Sequence, residues 1–141
     1  MGEIFLKYEF TNELLTKNNL IDNEHKELFE VVNNLIDLCE KGRGRESINK
    51  TIEFLIKYVN NHFINEENLQ IKNQYPNYTK HKNFHEIYKK ELLDFSNEIH
   101  KSGINITTLS KLNHLVNKII NHIKIDDKKM ATYINNLANK N

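Results

Sequence analysis

Apolar residues recur along this chain at three- and four-residue steps, in four long runs. The first carries Leu28, Phe29, Val32, Leu35, Ile36 and Cys39. That spacing is the signature of a helix burying one face. Asp22 or Asn23 is a candidate cap for its start. The second run carries Ile48, Ile52, Leu55, Ile56, Val59, Phe63 and Ile64. The third extends from about Tyr78 to His100 through Phe84, Ile87, Tyr88, Leu92 and Phe95. The fourth opens at the capping candidate Asn105 and carries Ile106, Leu109, Leu112, Leu115, Val116, Ile119, Ile120 and Ile123. A short last piece, about Lys128 to Asn139, has Met130, Tyr133, Ile134 and Leu137. Turn-forming stretches separate the long runs: KGRGRE at 41–46, NQYPNY at 73–78 with Pro76, and KSGIN at 101–105. No useful length shows strand-like alternation. The pattern predicts an all-α fold, an antiparallel up-down-up-down four-helix bundle forming one domain over residues 1–141. An N-terminal arm with Phe5, Leu6, Tyr8, Phe10, Leu14 and Leu15 packs on it, and a short C-terminal helix closes it.

Polar residues interrupt these stripes at positions that should face the core. His62 and Glu66 lie four apart, as do His81 and His85. Such residues differ by about 40° in direction and 6 Å in height, so both side chains reach one point beside the helix. His25 continues the stripe of Leu28, Phe29 and Val32. His122 follows Leu115, Ile119 and Ile120, and two acids, Asp126 and Asp127, come after it. A buried polar ring without a partner costs roughly 1–3 kcal/mol. The net stability of a domain is only about 5–15 kcal/mol. Five imidazoles with carboxylates in so small a core need something that satisfies them together, and metal does so. Imidazole with carboxylate suits Fe, Zn, Ni or Cu. Seven ligands exceed one tetrahedral zinc and suit two metals sharing bridging carboxylates. The Glu-x-x-His spacing of ferritin-like di-iron bundles is absent.

Composition narrows the picture further. The 141 residues carry a net charge of +1 with acids and bases interspersed, which gives no basis for a nucleic-acid partner. No apolar window reaches membrane-spanning length, and the N-terminus lacks a secretory pattern, so a cytoplasmic location is expected. Cys39 is the only cysteine. It rules out an internal disulfide and a thiolate metal site, and is expected to be a small buried hydrophobe.

The segments LIDNEHKELF, HFINEENLQIKNQYP, HKNFH and NHIKIDDKK resemble the hemerythrin family in its stand-alone bacterial form. The match runs from about Phe10 to Met130. The resemblance implies a cofactor of two iron ions with a bridging oxo or hydroxo group. His25 and His62 would bind one iron and His81, His85 and His122 the other, with Glu66 and Asp127 bridging. Helical spacing alone would select Asp126; the family pattern selects Asp127, which requires a local distortion of the helix or a turn that swings Asp127 inward. Three His, two carboxylate oxygens and the bridge complete one iron. The iron of His25 and His62 keeps an open position, walled by Leu28, Phe63 and Ile119. The implied activity is reversible O2 binding, as a carrier, store or scavenger rather than an enzyme. The alternatives are a di-iron enzyme acting on peroxide or nitric oxide, and an oxygen or redox sensor. O2 is the implied partner, and a redox or delivery partner is left unidentified. His100 and His114 fall outside the pattern and read as surface residues. Three non-ligand positions depart from the family: Phe10 stands for a Trp, Lys17 for a Gly, and Lys118 for a second Trp. The Lys118 head must snorkel outward or line an entrance.

Overall fold

A computed structural model describes residues 7–139, without the side chains of residues 39 and 44–46. The expectations for Phe5, Leu6 and Cys39 lie outside what is described. Five α-helices follow a single 3-10 turn at Asn12–Leu14. They are α1 (Asn19–Glu40), α2 (Gly44–Lys72), α3 (Tyr78–Ser102), α4 (Ile106–His122) and α5 (Lys128–Asn139). No strand occurs among the described residues, and the fold is an all-α bundle.

Successive long helices run antiparallel, as cross-helix pairs show. Phe63 meets Tyr88 while Glu66, further along α2, meets His81 at the start of α3. Glu98 of α3 pairs with Lys111 and Glu91 with Lys118 of α4. The connections hold few residues and carry the chemistry that stops helices. Gly103 ends α3 at φ 72°, a left-handed conformation that glycine adopts without a Cβ penalty. Asn105 then starts α4 as a capping box: its side chain accepts from the Thr108 N–H while the Thr108 hydroxyl accepts from the Asn105 N–H.

The start of α1 differs from the expectation. Asn18 is the cap, its Oδ1 accepting from the Ile21 N–H at 3.0 Å. Asp22 lies inside the helix and accepts from the Thr16 N–H and hydroxyl, both at 2.8 Å. The connection between α4 and α5 is the expected local distortion. The helix does not break; it widens into a π-helical turn at Ile123–Asp127 and continues.

Two halves of the interior differ in character. The half beyond His62 is apolar, filled by Val32, Leu35, Ile36, Ile48, Ile52, Leu55, Leu92, Phe95 and Leu112. The other half lies where α1 begins, α2 ends, α3 begins and α4 meets α5, and it holds the polar residues. Ile64, Ile87 and Ile106, expected on the apolar stripes, are exposed. Ile64 lies about 100° around α2 from the buried Phe63, and Ile106 is the first residue of its helix, beyond the core. The arm packs as expected, with Tyr8 and Phe10 edge-on to Phe29 and Asn33 bonding both backbone groups of Tyr8.

Lys17 joins this arm to α1 at φ 67°, a conformation that costs a residue with a Cβ about 1–2 kcal/mol. Lys17→Gly should therefore raise stability, by about 1 kcal/mol after the added freedom of the unfolded glycine is counted. Denaturant unfolding of the two proteins side by side checks this; an unchanged or lower midpoint would show that the backbone at residue 17 carries no such cost.

Candidate metal centre

His25, His62, Glu66, His81, His85, His122 and Asp127 all lie buried at one level of the bundle. Each is delivered by a different turn of helix: His25 from α1, His62 and Glu66 from successive turns of α2, His81 and His85 from successive turns of α3. His122 ends α4. The π-turn then brings Asp127, five residues later, onto the same face. In a regular α-helix five residues turn through about 140° away, so the distortion is what places Asp127 inside and leaves Asp126 half-exposed outside.

The geometry of the two carboxylates organises the cluster. Glu66 Oε2 lies 3.0 Å from His62 Nε2 and 3.3 Å from His25 Nε2. Its other oxygen lies 3.2 Å from His85 Nε2 and 3.4 Å from His81 Nε2. Asp127 also spans both sides, with fewer contacts. Its Oδ2 is 3.0 Å from His25 Nε2, and its Oδ1 is 3.0 Å from His81 Nε2 and 3.2 Å from His122 Nε2. Each carboxylate thus turns one oxygen toward the His25–His62 side and the other toward two of His81, His85 and His122. Two overlapping donor groups result, His25–His62–Glu66–Asp127 and Glu66–His81–His85–His122–Asp127.

Ring nitrogens face ring nitrogens inside these groups: His25 and His62 Nε2 are 3.1 Å apart, as are His81 and His122 Nε2. That is close to the roughly 3 Å edge of a coordination octahedron with bonds of about 2.1 Å. The outer nitrogens explain why Nε2 points inward. His62 Nδ1 is 3.0 Å from Glu24 Oε1, His85 Nδ1 is 2.9 Å from Glu67 Oε2, and His122 Nδ1 is 2.9 Å from Asp126 Oδ2. An imidazole donating from Nδ1 to a carboxylate presents the Nε2 lone pair on the other side, as a metal ligand must. Glu66 Oε1, His85 Nε2 and both Asp127 oxygens are buried with no hydrogen-bond partner. Buried groups of this kind are costly unless another species meets them. The donor set, its orphaned atoms and its spacing fit a pair of metal ions.

A match to the family model of the hemerythrin HHE cation binding domain covers residues 16–134. The chain belongs to the hemerythrin family. It is 30% identical over 117 residues to the bacteriohemerythrin of Pseudomonas aeruginosa (strain UCBPP-PA14), covering 82% of this chain and 74% of that protein. It is 29% identical over 128 residues to the bacteriohemerythrin of Campylobacter jejuni subsp. jejuni serotype O:2, covering 88% and 93%. No solved structure matches the chain at a significant level. No helix is long and apolar enough to cross a membrane among the described residues.

In this hemerythrin-family chain the outer carboxylates escaped the sequence reading, although each sits beside an inner residue in a doublet: Glu24 before His25, Glu67 after Glu66, Asp126 before Asp127. One residue along a helix turns about 100°, so the inner member faces the cluster and the outer one reaches around to an imidazole. Aromatic rings brace the same imidazoles. Phe63 stacks on His85 at 3.8 Å and Phe84 on His122 at 3.9 Å, while Tyr58 lies over His62 at 5.3 Å. Lys118 snorkels outward, its ammonium 2.6 Å from Glu91 and its charge over the face of Phe84. His100 and His114 are exposed. Leu28, Phe63 and Ile119 are buried.

Without metal, the cluster is a set of ion pairs. Burial alone would lower the pKa of His62, but Glu66 and Glu24 raise it to about 10. Burial likewise opposes the charge on His81 and His122; Asp127 and Glu66 outweigh it and raise them to about 9 and about 10. Glu66 and Asp127 are held below the carboxylate range against burial, chiefly by His62 and by His122 respectively. A raised imidazole pKa contributes stability that is complete below the unfolded value of 6.5 and lost as pH rises through the folded one. The metal-free protein should therefore lose stability between pH 6.5 and about 10. Metal binds neutral imidazole, so the loaded protein should hold its stability over that range. Thermal unfolding of chelator-treated and iron-loaded protein at both ends of the range tests this. A metal-free midpoint that does not fall would mean the imidazoles are already neutral.

Proposed function

We propose that the chain, as a single hemerythrin-like domain over residues 1–141, binds O2 reversibly at a di-iron centre. The observation that supports this most is that Glu66 and Asp127 each turn one oxygen toward the His25–His62 side and the other toward the His81–His85–His122 side. On this reading His81, His85 and His122 would hold one iron and His25 and His62 the other. Glu66 and Asp127, common to both donor groups, would serve both metals. A pair of irons held by these residues would supply two electrons for the reversible capture of one O2 molecule. The group of five residues would offer its metal more protein donors than the group of four, so a small ligand would be taken up on the side of His25 and His62.

The remaining roles belong to the chain itself. Leu28, Phe63 and Ile119 exclude water from the side of the centre facing the apolar half of the bundle. Phe63 also fixes the plane of the His85 ring. Exclusion of water slows proton delivery and favours release of the ligand over its reduction. Glu24, Glu67 and Asp126 are engaged by imidazole nitrogens, which leaves them poorly placed as proton donors to a bound ligand and favours a carrier over a peroxide- or nitric-oxide-consuming enzyme.

Metal analysis of protein grown with iron should give two irons per chain. One or none would remove the basis of the reading. An anaerobic ferrous sample should develop a new visible absorption in air and lose it on degassing. Oxidation at the first exposure, with no return, would overturn the carrier role.

His62→Ala and Glu66→Ala should each lower iron content, Glu66→Ala affecting both metals. The expected loss of metal affinity is at least the roughly 10–100-fold seen for outer partners of metal ligands. His114→Ala should leave iron content unchanged. Loss of iron in His114→Ala with retention in His62→Ala would reverse the assignment.

A further inference from the structure

Three carboxylates surround the centre without entering it, and they are unequal. Glu24 is 17% exposed, Glu67 12% and Asp126 48%. Glu24 is also fixed from a second direction, by the Asn65 amide donating to its Oε2 at 2.9 Å. His62 and His85, their partners, belong to different donor groups. Each group therefore has one imidazole tied to a well-shielded carboxylate, and the trio has a second tied to a solvated one. His25 stands apart, with Nδ1 buried and without an acceptor.

Resting on the reading of the seven inner residues as metal ligands, we propose that Glu24 and Glu67 are positioning residues that set the redox balance of the centre, one for each metal. Their charge acts through the imidazole. A carboxylate accepting the Nδ1 proton makes the ring a stronger donor to the metal. It also adds a fixed negative charge to a poorly screened site. Oxidation adds positive charge at the metals, so such a charge stabilises the oxidised pair more than the reduced one. Asp126 makes the same contact at 2.9 Å, but water screens it. The two shielded glutamates thus bias the centre toward its oxidised state, and Asp126 serves mainly to orient His122.

Glu67→Gln and Glu24→Gln separate charge from geometry, because the amide oxygen can still accept from Nδ1. Both variants should keep two irons per chain. In redox titration followed by visible absorption, each should shift the reduced-to-oxidised ratio at a set potential by about tenfold toward reduced, which is 59 mV for a one-electron step. Asp126→Asn should shift it less than threefold. Glutamine variants that titrate with the wild type, or an Asp126→Asn shift as large as theirs, would overturn the proposal. A measurement on the unmodified protein guards against a variant that fails to fold. In the zinc-loaded, diamagnetic wild type, nitrogen NMR should find His62, His85 and His122 carrying strongly hydrogen-bonded protons on Nδ1. Two bound zinc ions with those protons absent or free would sink the proposal while leaving the ligand assignment standing. Failure of the wild type to take up metal would instead sink the ligand assignment beneath it.

Discussion

The structure depends on one constraint: five imidazoles and two carboxylates share a small volume from which water is excluded. Alone, each would cost free energy to bury. Together they form two donor groups that overlap at Glu66 and Asp127. A ring nitrogen 3.1 Å from another cannot be satisfied by hydrogen bonding alone at every position, as the orphaned oxygens of Asp127 make plain. The arrangement makes sense as a site held ready for positive charge. The outer carboxylates, the stacked aromatic rings and the capped helix ends all serve to keep seven side chains aimed at one place.

The bundle supports this by dividing its labour. The apolar half supplies cohesion, because its stripes run for several turns and contain no ligand. The polar half gathers helix ends, where α1 and α3 begin and α2 finishes. Tyr75 caps that end, buried beside His81 and Tyr133. Helices whose apolar contacts lie elsewhere can tolerate costly residues in their last turns, and folding does not rest on the centre alone.

Much of this was legible in the sequence. Periodicity located four long helices, since a stripe every 3.6 residues has one reading over that length. Four-residue spacing exposed His62–Glu66 and His81–His85, the apolar stripes turned His25 and His122 inward, and the resemblance to a known family chose Asp127 over Asp126. The limits were equally physical. Glu24 and Glu67 escaped notice because their contacts lie across to another helix, and a single sequence does not encode which helices are neighbours. Asn18 was passed over as a cap because the apolar stripe begins a full turn after the helix does. Ile64 and Ile106 fitted the stripe as written, yet a long helix drifts against its neighbours and its ends outrun the core. Asp126 and Asp127 show both sides of this. Helical spacing favoured Asp126, which does contact His122, through the outer nitrogen.

The π-turn has a consequence for how this chain can vary. Lys124 and Ile125 are exposed on its outer side, and exposed positions ordinarily accept insertions and deletions. Here the residue count works as gearing. Removing one residue would return the turn to α-helical phase, withdraw Asp127 and rotate everything that follows. Met130 would leave Gln70, and Lys128 and Asn135 would lose the arm carbonyls of Leu15 and Thr16 that they now hold. Lys124 and Ile125 can change identity, while the length of the turn is fixed by a side chain on the opposite face.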